Sequence, residues 1–227
     1  MNFNWQGILI SLPGIILGLT LHEYCHAVAA FKLGDQTARE MGRLSFNPLK
    51  HIDPIGFLFI IFAGFGWAKP VHFNPENLGH PRRDKAVIAA AGPLSNLVLA
   101  LAFIALNWGW LYLHLHVIDL TQEGSGFASS QAYIYFFFIF YLVLQYGAVI
   151  NMGLFIFNLF PIPPLDGSHI AFSGLNLNAE TERLIMKIGA PLLFVILIIQ
   201  NRAGITILPI REIINLVLNP IMPKLGY

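Results

Sequence analysis

His22, Glu23 and His26 stand together in the run His22-Glu23-Tyr24-Cys25-His26. On a helix, positions i and i+4 project from one face, so the two imidazoles can grip one ion. Glu23, on an adjacent azimuth, can reach a water activated by that ion and act as general base. The chemistry such a trio performs is metal-assisted hydrolysis. Its setting is unusual, because residues 7–31 are otherwise almost wholly apolar. A carboxylate left in hydrocarbon costs about 2.5–3.5 kcal/mol even on the lenient insertion scale. Three ionisable groups inside one apolar helix therefore call for a function. The structural alternative is a polar cluster that hydrogen-bonds neighbouring helices.

A catalytic zinc usually has three protein ligands and one open position. Asp166, in Pro163-Pro164-Leu165-Asp166-Gly167, is the foremost candidate for the third. The prolines stop helical hydrogen bonding, and non-helical backbone at membrane depth is tolerated only where it lines a cavity. At about 1.5 Å per residue, His22 lies roughly 15 Å from the end of its helix, so Asp166 must turn back to meet it. Alone, Asp166 reads as an ordinary turn acid before glycine. Beside the two histidines it reads as a ligand.

The elements that must position these residues are membrane spans. The chain has 227 residues, 56% hydrophobic and 11% charged, where a soluble domain carries about a quarter charged. Core spans are expected at about 7–31, 86–113 and 132–160, with further apolar segments at 184–199 and 205–218. The last is marginal in length and open to spanning, dipping in or lying at the interface. The fold class is all-α polytopic, with about four to five transmembrane helices in one membrane-embedded domain over 1–227. The apolar piece Ile55–Trp67, studded with glycines, is short for a regular span and suits a re-entrant or hairpin segment. No basic residue precedes the first apolar run, so that segment is expected to stay as an anchor.

Charge placement orients the chain. Lys32, Arg39, Arg43, Lys50, Lys69, Arg82, Arg83 and Lys85 follow the first span, whereas the loop Val117–Ser130 has none. The first long loop is therefore expected in the cytoplasm, with the N-terminus outside and the Asp166 stretch cytoplasmic. A net charge of +1 without a polybasic run excludes nucleic acid as a natural partner. The lone cysteine, Cys25, rules out an intramolecular disulfide and reads as a packing residue.

Three motifs in order resemble the site-2 protease family of intramembrane metalloproteases: His22-Glu23-Tyr24-Cys25-His26, Gly92-Pro93-Leu94-Ser95-Asn96, and Asn158-Leu159-Phe160-Pro161-Ile162-Pro163-Pro164-Leu165-Asp166-Gly167. The resemblance covers most of residues 7–180. It implies one Zn²⁺ held by His22, His26 and Asp166, with Glu23 as catalytic base. It also implies that Asn96 and Asn158 hold the substrate strand or the oxyanion, and that the Arg39–Asn77 region forms a membrane-embedded β-hairpin beside the site. The form is compact, without room for a PDZ or a C-terminal nucleotide-sensing domain. The implied activity is zinc-dependent hydrolysis of transmembrane or membrane-tethered protein segments, in the plasma membrane of a prokaryote, with the site towards the cytoplasm.

Two other classes fit the histidines less well. A metal-dependent transporter would spread polar groups along a path through several spans, and here they gather at one depth. A catalytically inactive adaptor would not need Glu23. Asn151, seven residues before Asn158, reads equally as a helix-packing residue. His51, His72 and His169 receive no assigned role, and His114 with His116 falls at the outer interface, where no second metal is expected.

Overall fold

The computed structural model describes residues 5–63, 66–121, 130–175, 177–203 and 206–223. The elements are α1 (Trp5–Lys32), α2 (Thr37–Glu40), α3 (Pro54–Ala63), α4 (Pro81–Thr121), α5 (Gln131–Asn158), α6 (Asp166–Ser173), α7 (Ala179–Ala203) and α8 (Ile210–Leu218). No strand occurs among the described residues. Among the described residues three helices are long and apolar enough to cross a membrane: α1, α4 over Pro81–His116, and α5. The apolar runs 7–31 and 86–113 lie inside α1 and α4, and 132–160 overlaps α5. The loop residues 122–129 lie outside the described residues.

Local sequence sets the helix ends. Pro81 opens α4, where its missing N–H matters least, and Asp84 accepts the His80 backbone N–H at 2.8 Å. Ser130 caps α5 by accepting from the Tyr133 N–H at 3.3 Å. The α5 helix stops at Asn158, ahead of Pro161, Pro163 and Pro164.

Lipid is as apolar as leucine, so helices in a membrane gain little by hiding apolar faces from it. Close packing of small residues and interhelical hydrogen bonds hold them instead. The α1–α5 seam follows that rule: a β-carbon at Gly14 would sit 2.8 Å from the Gly147 Cα, too near for any side chain. Between α4 and α5 the core comprises Ala100, Phe103, Ile104, Leu144, Ala148 and Met152, joined by Leu218 of α8.

The segment between α1 and α4 folds back over the end of α1. Asp35, fully buried, accepts from the Asn74 backbone N–H (3.0 Å) and from Asn77 Nδ2 (2.7 Å). Ile55–Trp67 is where the sequence reading differs most from the structure. Its first part is helix α3, and the hairpin pairing expected over Arg39–Asn77 reduces to one antiparallel bridge, Ile52 with Ala68. The run Phe57–Ala63 has no polar alternation to mark a strand, and a helix satisfies its own backbone in apolar surroundings.

Residues 184–199 lie within α7. At nine residues α8 is too short to cross. It docks along α5, with Ile214 facing Gly153.

Candidate metal centre

His22, Glu23 and His26 lie in the second half of α1, all three buried. Beyond the prolines the chain turns back, and Asp166 begins α6 against the same face. His22 Nε2 lies 3.1 Å and His26 Nε2 3.4 Å from Asp166 Oδ2. The two Nε2 atoms are 3.0 Å apart. These three side chains form the one group among the described residues arranged to hold a metal ion.

The tautomers follow from the neighbours. His26 Nδ1 faces the Ile88 carbonyl at 2.7 Å, which can only accept, so Nδ1 carries a proton and, in the neutral ring, Nε2 is the nitrogen left to ligate. His22 Nδ1 faces Asn96 Oδ1 at 2.7 Å. The amide is oriented by its other end, since Asn96 Nδ2 donates to the Gly18 carbonyl at 3.1 Å. Its oxygen therefore accepts from His22, whose Nε2 is likewise the ligating nitrogen of the neutral ring.

Two imidazole lone pairs and a carboxylate oxygen thus point into one small volume. Asp166 Oδ2 is buried and has no hydrogen-bond partner, although both imidazoles are close. With both rings neutral, three acceptors meet here and repel each other unless a cation, a metal ion or a proton, joins them. Ligand atoms at tetrahedral angles about a zinc, each roughly 2.0–2.2 Å from it, would be about 3.4 Å apart, close to the separations here. Gly92 completes the cradle: a β-carbon there would stand 2.3 Å from His26 Nε2 and 2.7 Å from His22 Cε1. The residues fit a zinc ion.

Behind His22 runs a polar relay that joins three helices. Asn96 Nδ2 also donates to Asn151 Oδ1 (3.0 Å), and Asn151 Nδ2 donates to the carbonyls of Gly147 (2.9 Å) and Gly14 (3.2 Å). Both asparagines are fully buried. The sequence reading put Asn96 beside substrate or oxyanion, but its side chain lies behind His22 with every hydrogen-bonding group engaged. Asn158 Nδ2 turns back to the Leu154 carbonyl at 2.9 Å. Gly92 and Asn151 escaped the reading as site residues, because their parts depend on how helices register against one another.

Glu23 lies beside the cluster, and its Oε2 accepts from the Val71 backbone N–H at 3.1 Å. Other histidines lie outside the metal group. His51 is buried and donates from Nε2 to the Ser45 carbonyl at 2.7 Å, His72 is exposed, and His169 lies one turn beyond Asp166 on α6.

Residues 10–196 match the model of peptidase family M50. The chain belongs to that family. Among its relatives, the proposed zinc metalloprotease YwhC of Bacillus subtilis is 39% identical over 160 residues, covering 69% of this chain and 64% of that protein. The proposed zinc metalloprotease Rip2 of Mycolicibacterium smegmatis is 30% identical over 183 residues, 77% of this chain and 60% of its own. A further relative, the proposed zinc metalloprotease MJ0611 of Methanocaldococcus jannaschii, is 28% identical over 171 residues, 74% of this chain and 72% of its own. The chain thus spans somewhat under two thirds of the length of the first two. No solved structure matches it.

Proposed function

We propose that this M50 chain is a zinc-dependent intramembrane endopeptidase that hydrolyses peptide bonds of transmembrane or membrane-tethered protein segments. The observation that carries the reading is the convergence of His22 Nε2, His26 Nε2 and Asp166 Oδ2 beside Glu23, on a bundle with three helices long and apolar enough to cross a membrane. In this reading those three side chains hold the metal. When bound, zinc supplies Lewis acidity and an acidified water. Glu23 takes the proton of the attacking water and passes it to the leaving amine nitrogen. Asn96, through Nδ1 of His22, keeps the imidazole in its ligating tautomer and orientation. Asn158, at the end of α5, is the amide left to serve the oxyanion or the substrate strand.

A peptide bond in a membrane-spanning helix is already hydrogen-bonded, so the substrate unwinds locally before cleavage and can add as a strand to an exposed edge. The segments Met41–Phe46 and Ala68–Phe73 are the candidate edges. The charge asymmetry supports a cytoplasmic first loop and site and an outside N-terminus, and the relatives in Bacillus subtilis and Mycolicibacterium smegmatis support a plasma-membrane location in a prokaryote. In that topology α7 supplies a fourth span, and α3 is a re-entrant element whose two ends meet at the Ile52–Ala68 bridge.

The test is cleavage of a membrane-span peptide by purified protein in detergent, with wild type, Glu23→Gln and chelator-treated samples. Cleavage is expected only in untreated wild type. Glu23→Gln is expected to retain zinc, while His22→Ala and Asp166→Ala lose it. Activity that survives Glu23→Gln would remove the general base from the mechanism.

A further inference from the structure

One peptide group, Pro70–Val71, connects two buried charges. Its N–H donates to Glu23 Oε2 at 3.1 Å, and its carbonyl accepts from Arg43 Nη2 at 3.3 Å. Arg43 is 3% exposed and Glu23 is 8% exposed. Arg43 forms no ion pair among the described residues; Nη1 donates instead to the carbonyls of Lys50 and Lys69. A buried guanidinium without a carboxylate calls for an explanation, since an uncompensated buried charge is strongly unfavourable.

The intervening peptide supplies one. A cation at its oxygen draws electron density through the amide and strengthens the N–H as a donor, and such chains are reinforced in a low-dielectric interior. Each end is a hydrogen bond to a charged group, a class stronger than its neutral counterpart. Pro70 has a fixed φ, and the flanking Lys69 N–H is anchored to the His51 carbonyl at 2.7 Å. The peptide plane is therefore held from both sides while it presents its N–H to Glu23.

We infer that Arg43 is a positioning residue for the hydrolysis: acting through the Pro70–Val71 peptide, it fixes the Glu23 carboxylate at the metal cluster. One oxygen is tied, and the other is left to receive the proton. Because Arg43 also gathers the carbonyls of Lys50 and Lys69, which flank α3, the base of that segment and the orientation of Glu23 are set by one side chain. The inference rests on the reading of Glu23 as the base.

The experiment is a double-substitution cycle in the full-length, zinc-loaded protein in detergent, assayed on a membrane-span peptide. Arg43→Lys keeps the charge but not the fork. Replacing Val71 by its α-hydroxy acid removes the N–H and keeps the side chain. Each is expected to lower kcat about tenfold, a fraction of the roughly 10²–10⁴ that a positioned base contributes. KM and zinc affinity, the latter read by chelator competition, are expected within about twofold of wild type. The two changes together are expected to lower kcat no further than either alone, since both break one relay. Multiplying losses, or losses confined to zinc affinity or thermal stability, would overturn the inference. In metal-free protein, Arg43→Lys is also expected to speed hydrogen exchange at the Val71 amide, and unchanged exchange would count against the relay. Should Arg43→Lys not fold, the Val71 ester alone decides: full kcat with zinc bound overturns the inference, and reduced kcat with zinc bound supports it. Glu23→Gln separates the two failures. If it stays active, the base assignment is wrong; if it is inactive while the two losses multiply, only the relay is wrong.

Discussion

A β-carbon on Gly92 would stand 2.3 Å from Nε2 of His26, inside the volume where the two imidazoles and Asp166 converge. Glycine at this position of α4 keeps that volume open. Gly92→Ala is therefore expected to push the His26 ring away from Asp166 and to lower zinc affinity by about 10–100-fold or more, the scale of second-shell losses. Chelator competition reads the affinity. Gly109→Ala, on the same helix with nothing within 4 Å of the added carbon, is the control and is expected to bind zinc normally. Equal zinc binding by the two variants would contradict the geometry of the cradle.

The relay behind His22 separates two roles for Asn96. As the acceptor for His22 Nδ1, Asn96→Ala lowers zinc affinity about 10–100-fold. As an oxyanion donor it would lower kcat about 10²–10³ at unchanged zinc affinity. The first pattern is expected. Asn151→Leu, which removes the partner of Asn96 Nδ2, is expected to shift zinc affinity in the same direction by a smaller factor. In Co²⁺-substituted protein both changes are expected to alter the visible absorption of the site. An unaltered spectrum with lowered kcat would return Asn96 to the substrate side.

The fold-back over α1 carries a pH dependence. Burial pushes the Asp35 carboxyl up, but hydrogen bonds from Asn77, Thr37 and the Asn74 and Thr37 backbone N–H groups outweigh it and hold the group below its ordinary value. A carboxyl with a depressed native pKa stabilises above its unfolded value of about 3.9. That contribution is lost as pH falls through the native value. Hydrogen exchange over residues 69–77, corrected for its intrinsic pH dependence, is therefore expected to accelerate in acid below about pH 4. Asp35→Asn is expected to show faster exchange already at neutral pH and little further change in acid. Wild-type exchange that stays flat into acid would show that Asp35 does not secure this segment.

These tests bear on parts of the molecule that were not equally legible in the sequence. His22, Glu23 and His26 were readable because an i, i+4 pair needs only local helix geometry. Asp166 was readable because prolines beside an apolar span mark a cavity lining. The three long spans follow from apolar length alone. Gly92, Asn151 and Arg43 were not readable in their present parts, since each acts on a residue at least 27 positions away in the chain or on another helix. Helix α3 was blurred for a different reason: a short apolar run carries no period that separates strand from helix.

Over the described part of the last apolar stretch, 206–218, packing agrees with the short length of α8. Leu218 of α8 is 2% exposed among Phe103, Leu144, Ala148 and Met152, whereas Leu216 is 77% exposed. In a soluble core Leu→Ala costs about 2–5 kcal/mol, part from transfer and part from the cavity left behind. For a helix docked within a membrane bundle the transfer part shrinks, because lipid is as apolar as the site. The cavity part remains, so Leu218→Ala is expected near the low end, about 2 kcal/mol. That loss should appear as a lowered unfolding midpoint in detergent. Leu216→Ala touches no core and is expected within about 0.5 kcal/mol of wild type. Zinc affinity is expected unchanged in both, since α8 docks on α5 away from the His22–His26–Asp166 cluster. If the two leucines prove equally tolerant, α8 does not pack on α5 as described.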